Sequence, residues 1–188
     1  MKKMIFLAIA LMLCVALQQI CFAEESSFVQ RDELANVAME TYENVAHQYI
    51  TVSLERPIFI DIAESKYGNR IVQAYARKFI NGVGDKLFLP QKRATRLEMI
   101  TVMYRVLNAL NAKYDIEAIE IENELINVDN IPDWAINAVV YMVSAELTTI
   151  EEAEISVEQY ATKEELELIS DKIEELFVQD ARTNLLPQ

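Results

Sequence analysis

Apolar positions along this chain fall at helical intervals in three places, each opened by the same kind of polar start. Across 87–110, LFLPQKRATRLEMITVMYRVLNAL, a short extended stretch and a turn at Pro90 lead to Thr95. Beyond it Leu97, Ile100, Met103, Leu107 and Leu110 form one helical stripe. Thr95 and Glu98 have the spacing of a capping box, in which the hydroxyl takes a first-turn N–H and the carboxylate reaches back to the cap's own N–H. Gln30-Arg31-Asp32-Glu33 opens an earlier run in which Leu34, Val37, Ala38, Thr41, Tyr42 and Val45 keep the period. Thr162-Lys163-Glu164-Glu165 opens a later one, with Leu166, Ile169, Ile173 and Phe177 on its stripe. The three basic residues stand 65 and 67 positions apart, from 31 to 96 and from 96 to 163, each with Glu two places on. Such spacing predicts stacked copies of one supersecondary unit around a shared core, with Val37, Met103 and Ile169 meeting on one axis. The copies have drifted: Gln30 is a poor cap, and Lys163 lacks the planar fork of Arg.

The intervening segments fill out the units. The first helix runs from about Val29 to Tyr49, and the connector ITVSLERP follows, ended by Pro57. Phe59-Ile60-Asp61-Ile62 is extended, with Asp61 placed to start a turn. A helix over Tyr67–Phe79 carries Ile71, Val72, Tyr75 and Phe79 on one face. It stops at the turn from Ile80 to Asp85, which holds two of the chain's three glycines, Gly82 and Gly84. The acidic stretch 111–127 fits strand or helix equally and reads as a linker or insertion. Asn127-Val128-Asp129 then matches Phe59–Asp61 in type, and Ile131-Pro132-Asp133-Trp134 leads into a helix over Ala135–Ala145. Ile155-Ser156-Val157 corresponds to Leu87-Phe88-Leu89, and the tail from Gln179 reads as loose.

The N-terminus changes the compartment. Lys2-Lys3, an apolar run from Met4 to Leu17 and QQICFA before Glu24-Glu25 have the order of a secretory signal peptide, with cleavage after Ala23. The alternative is an uncleaved anchor, for which the run is short of the roughly 20 apolar residues a span needs. Cys14 and Cys21 both lie in this segment, so the mature chain has no disulfide, thiolate metal site or cysteine nucleophile. Loss of Lys2 and Lys3 leaves 15 of 17 basic residues against 30 acidic ones, a net charge of −15. That surface repels nucleic acid and anionic lipid, and any anionic ligand must be held by a few well-placed cations. About 165 residues remain, enough for one domain with its own core.

Candidate chemistry is sparse. Arg96 falls in a first helical turn, where the macrodipole disfavours a cation, so a carboxylate partner or an anionic ligand should compensate. Glu33, Glu98 and Glu165 read as caps before they read as bases. His47 is the only histidine and sits among polar neighbours. Glu151-Glu152 and Glu154 lack the spacing of a calcium loop. There is no Gly-rich phosphate loop, nucleophile elbow or metal-ligand histidine pair, and no cofactor or metal is expected. A carboxylate-based hydrolase cannot be read from spacing in so acidic a sequence.

Phe59-x-Asp61, Tyr67, Ile80-Asn81-Gly82, Phe88-x-Pro90 and Thr95-Arg96-x-Glu98, in that order, resemble the S-layer homology (SLH) module of bacterial surface proteins. Asp129, Pro132, Trp134 and Thr162-Lys163-x-Glu165 repeat part of the pattern, without the Gly turn or the Phe-x-Pro element. Val29–Ala46 looks like only the second half of a module. The resemblance divides the chain into a signal peptide (1–23), a half module (24–50), a module (59–112), an acidic linker or insertion (113–126), a divergent module (127–178) and a tail (179–188). It implies a mainly α, pseudo-threefold fold, with a central three-helix bundle, outer helices and short extended loops.

The resemblance also implies an exported, non-enzymatic protein at the cell wall or cell surface. Its grooves between modules would bind secondary cell-wall polysaccharide or a peptidoglycan-linked polymer. Carried over to this sequence, the ligand-binding positions are Arg96 foremost, then Arg31, with Lys163, Tyr67, Gly82 and Trp134. With the first outer helix missing, at most two of three grooves should be complete. Tyr67 and Trp134 read as packing on their own modules before they read as faces for a sugar ring, and Arg96 could pair with Glu98 or a neighbouring carboxylate. The competing reading is a degenerate SLH-like fold serving as a protein-interaction or assembly module, which would need a partner protein.

Overall fold

The computed structural model describes residues 27–47, 58–114, 131–148 and 159–183. The leader, Asn127–Asp129, Ile155–Val157 and all but the first two residues of the 113–126 insertion lie outside the described residues. Five helices follow in order: α1 (Arg31–Ala46), α2 (Gly68–Ala76), α3 (Arg96–Tyr114), α4 (Asp133–Ser144) and α5 (Lys163–Thr183). No helix among the described residues is long and apolar enough to cross a membrane.

The three repeated starts converge on one axis. Phe28–Gln30, Arg93–Thr95 and Tyr160–Thr162 pair as a closed triangle of antiparallel bridges, Gln30 with Arg93, Thr95 with Tyr160 and Phe28 with Thr162. The middle residues donate around the ring: Val29 N to the Ala161 carbonyl (2.9 Å), Ala161 N to that of Ala94 (3.0 Å) and Ala94 N to that of Val29 (2.8 Å). Val29, Ala94 and Ala161 are each fully buried, so these amides have no water to turn to and the ring satisfies them. At the apex the matching first residues stack, with the Arg93 guanidinium 4.8 Å from the Phe28 ring centroid and 5.5 Å from that of Tyr160.

From this ring α1, α3 and α5 descend as a central bundle, and their predicted stripes line its core. Leu97, Ile100, Met103, Leu107 and Leu110 are all buried, as are Leu34, Ala38, Thr41, Tyr42 and Val45 on α1 and Leu166, Ile169 and Ile173 on α5. Val37 and Phe177 are partly buried and pack against that core. One polar contact crosses it, Thr41 Oγ1 to Ser170 Oγ at 2.7 Å, and Thr41 also donates to the Val37 carbonyl.

Each outer helix leans on the preceding copy's central helix. α2 covers α1: Phe79 and Arg77 pack on Tyr42, and Arg70 pairs with Glu43 at 2.8 Å. α4 covers α3, where Tyr141 meets Tyr104 and accepts from Asn111. Both outer helices end alike. Lys78 and Glu146 adopt left-handed backbone, and the N–H groups of Phe79 and Leu147 return to the carbonyls of Ala74 and Met142, closing a Schellman turn. α2 is therefore shorter than the predicted Tyr67–Phe79, although Phe79 keeps its buried place. α1 likewise starts at Arg31 rather than Val29, because Val29 is held in the ring, and His47 caps its end in left-handed backbone, exposed. α5 continues to Thr183, past the expected start of a loose tail.

No described helix covers the matching face of α5. Where α1 presents Met39, Tyr42 and Glu43, and α3 presents Tyr104, Leu107 and Asn108, the equivalent α5 positions are Asp171, Glu174 and Glu175. Asp171 and Glu175 are exposed, and Glu174 accepts from Asn44. The apolar pair that an outer helix buries elsewhere is here replaced by charge, which a water-facing surface favours.

Candidate functional site

The three capped helix starts are also an electrostatic ring. Glu98 accepts the Thr95 N–H on Oε2 (2.9 Å) while Thr95 Oγ1 accepts from Glu98 N (3.2 Å), and Thr162 with Glu165 repeats this at 2.8 and 3.2 Å. Glu33 accepts from Gln30 N at 3.0 Å. Each carboxylate then spends its second oxygen on the basic residue of another copy. Arg31 pairs with Glu98 at 2.5 Å, Arg96 with Glu165, and Lys163 with Glu33 at 3.2 Å. A cation in a first helical turn opposes the macrodipole, and here the neighbouring copy's carboxylate compensates it. Arg96 therefore pairs with Glu165, not with Glu98 of its own box. Gln159 adds an acceptor for it at 3.1 Å.

Arg31 is the most enclosed of the three. Only 8% exposed, it donates Nε to the Phe88 carbonyl (2.9 Å) and Nη2 to that of Asn81 (3.1 Å), and its guanidinium lies 4.8 Å from the Phe88 ring centroid. Those carbonyls are brought to it by the second unit's loops. Asp61 accepts from the N–H groups of Phe88 (3.0 Å) and Leu89 (2.7 Å), holding Leu89 in left-handed backbone before Pro90. Lys92 and Pro90 carbonyls in turn accept from Arg31 N and Asp32 N. The turn before this loop is closed by Asp85 and Lys86, both left-handed, with Leu87 N on the Gly84 carbonyl. At Gly82 a Cβ would stand 2.5 Å from Phe59 Cε1 and 2.8 Å from the Leu87 carbonyl oxygen. Close approach, rather than left-handed backbone, is what requires glycine there.

Beside Arg31 opens a cleft of about 300 Å³. Arg31 and Leu34 come from the first copy. Ile80, Asn81, Gly82, Val83 and Phe88, with Glu98, Thr101, Val102 and Arg105 on α3, come from the second, and Trp134 comes from the third. Trp134 is 54% exposed, so its ring stands over the opening rather than in the core. Its neighbour in the pseudo-symmetric arrangement is nearly closed. Arg96, Met99 and Ile100 face Leu147, Thr148, Glu165, Leu168 and Ile169 around about 10 Å³. There Leu168 stands where α3 has Thr101, and the outer-helix aromatic would have to come from a first-copy helix that is not among the described ones.

Of the residues singled out in the sequence, Arg31, Gly82 and Trp134 meet in the larger cleft. Arg96 lies in the small one, and Lys163 sits at the third position with its side chain 45% exposed. Tyr67 lines neither cleft; the Lys66 ammonium lies 4.5 Å from its ring centroid. A hydrogen bond to the Tyr67 hydroxyl and its charge interaction, with smaller contributions from Glu33 and Asp32, raise the Lys66 pKa. Arg31, rather than Arg96, is the basic helix-start residue that lines the larger cleft. Sequence reading missed Thr101 and Arg105. They follow Glu98 at i+3 and i+7, one helical face, a spacing that flags them once Glu98 is known to line a cleft.

These features define a class: a helical repeat protein whose modules share one bundle and assemble a surface cleft from three copies. Residues 59–100 match the family model of the S-layer homology domain, and the chain carries an SLH domain over that stretch. Domains of this family serve generally in cell-wall anchoring and are non-catalytic. No curated protein and no solved structure matches the chain.

Proposed function

We propose that this protein is an exported, non-catalytic module that attaches to the bacterial cell envelope by holding an anionic cell-wall polymer in the cleft between Arg31 and Trp134. The observation that carries this reading is the composition of the cleft. A basic start, a glycine turn and an exposed aromatic, contributed by three different copies, converge only at this position among the described residues. Export rests on the leader 1–23. The module boundaries at 24–50, 59–112 and 127–178 belong to the same proposal. Secondary cell-wall polysaccharide or a peptidoglycan-linked polymer is the ligand class, with Arg96, Lys163 and Tyr67 outside the main contact.

Sedimentation with purified wall sacculi, before and after their secondary polymer is stripped, tests this. Trp134 has room to lose on binding, and covering an aromatic of that size contributes about 1.5 kcal/mol, or about tenfold in affinity. Trp134→Ala should therefore sediment about tenfold less with an unchanged circular dichroism spectrum, and Arg96→Ala should lose much less. Wild-type protein that stays in the supernatant would sink the proposal. A second reading, an interaction or assembly module with a protein partner, is favoured by the closure of the Arg96 cleft and would take its place.

A further inference from the structure

We propose that the protein associates head to tail, the open face of α5 in one copy docking on the outer surface of the second module in the next. The inference is independent of the cleft. It starts from an uneven charge distribution that the net value hides. Residues 66–113 hold ten Lys or Arg and two Asp or Glu, whereas residues 114–188 hold three and nineteen. One part of the chain is therefore strongly basic and another strongly acidic, and each has a face in solvent.

The acidic face is on α5. Glu164, Leu168, Asp171, Glu175 and Val178 are all exposed and fall at intervals of four, three, four and three, one stripe along the helix. No described helix covers this stripe, and Asp171 and Glu175 make no ion pair among the described residues. Carboxylates alone would suit water, but Leu168 and Val178 stand 49% and 51% exposed among them. A partner for this stripe must be both basic and partly apolar.

The second module presents that combination. Lys78 and Lys86 are exposed and make no ion pair among the described residues. Ile60, Tyr75 and Leu89 are exposed large apolar side chains, Ile60 to 65%. The backbone holds these residues in one neighbourhood. Ile60 N donates to the Lys86 carbonyl (3.0 Å), Lys78 N donates to that of Tyr75 (2.9 Å), and the Tyr75 ring centroid lies 5.2 Å from that of Phe59, beside Ile60. Asp61, on the other side of Ile60, accepts from Leu89 N at 2.7 Å. None of these five residues lines the cleft.

The two surfaces lie on different sides of one molecule. α2 and its C-terminal turn pack on Tyr42 and Glu43 of α1, and α5 packs on Thr41 and Asn44, so α1 stands between them. A second copy therefore supplies the complement. Because the contact joins unlike surfaces, each added copy leaves one of each free, and the assembly grows beyond a pair. The shared net acidity does not forbid this. Beyond about 8 Å that repulsion is screened at physiological salt, while the complementary patches act at contact distance.

Sedimentation equilibrium of the purified protein at rising concentration, in near-physiological salt, tests this. The apparent mass of wild type should climb past that of one chain and then of two. Asp171→Lys/Glu175→Lys and Lys78→Glu/Lys86→Glu each give both surfaces the same sign, so each variant should self-associate more weakly by about tenfold or more. Mixed in equal amounts the two variants should associate again, because every surface then has a complement in the other variant. Misfolded protein would not recover on mixing, and circular dichroism should be unchanged since all four positions are exposed. A wild type that stays monomeric, reversals that leave association intact, or a mixture that fails to recover it overturns the proposal. A wild type that stops at dimers overturns the head-to-tail arrangement. If wild type is monomeric and the lysine reversal instead weakens sacculus binding, the lysines serve the wall polymer and the proposal is likewise wrong.

Discussion

One substitution made at three equivalent positions probes the pseudo-threefold ring. Glu33, Glu98 and Glu165 each cap their own helix with one carboxylate oxygen and hold another copy's cation with the second. Replacing each by Ala deletes the same chemistry in three surroundings. The cap term is common, about 1 kcal/mol. The ion-pair term is not. Lys163 is 45% exposed, so its pair with Glu33 sits in the range of exposed bridges, about 0–1 kcal/mol. Arg31 and Arg96 are 10% and 23% exposed at the side chain, and losing the partner leaves a largely enclosed guanidinium without its counter-charge. Fully buried pairs cost about 3–5 kcal/mol to break. Glu98 keeps 27% exposure and Arg31 retains two carbonyl acceptors, which together bring the pair term down to about 1–3 kcal/mol. Glu98→Ala and Glu165→Ala should then cost roughly 2–4 kcal/mol, and Glu33→Ala roughly 1–2 kcal/mol. Urea unfolding at constant m measures this through the midpoint. An Arg31→Met/Glu98→Ala cycle isolates the coupling within the first pair. If Glu33→Ala costs as much as Glu98→Ala, enclosure does not govern these pairs and the argument is wrong.

Met103 is fully buried at the centre of the bundle, so Met103→Ala should cost about 2–5 kcal/mol, and a loss under about 0.5 kcal/mol in a denaturant melt would mean that α3 packs otherwise. Gly82→Ala drives a methyl into Phe59 and the Leu87 carbonyl, and should destabilise by about 1–3 kcal/mol while weakening sacculus binding by displacing the cleft's turn; a variant as stable as wild type refutes the close approach. N-terminal sequencing of exported protein should begin at Glu24, and Met1 or Lys2 retained on membrane-bound protein would overturn the cleavage expectation.

What the sequence by itself determined is everything that depends on neighbours a few residues away. Thr95 and Glu98 are three positions apart, so their reciprocal cap is local, and the apolar stripes from Leu97 to Leu110 and from Leu166 to Ile173 follow from helical period alone. Repetition of these pieces at 31, 96 and 163 was enough to imply three copies around a common core. The structure alone decided which carboxylate meets which cation. Arg31 finds Glu98 across 67 positions, Arg96 finds Glu165 across 69, and Lys163 finds Glu33 across 130. Capping fixes each Glu at its own helix start, but the partner of its free oxygen depends on the order in which copies pack around the axis. The same holds for the cleft. Arg31 and Arg96 occupy like positions in their helices, yet one faces a glycine turn, Thr101 and Trp134 while the other faces Leu168 in a recess of about 10 Å³. Residues of three copies line the larger cleft and of two the smaller, so drift in any one of them opens or closes a site whose other residues are unchanged. Arg105 shows the limit most clearly: its place on α3 gives no sign of the cleft, and only the packing of Trp134 and residues 80–83 around it makes it part of that lining.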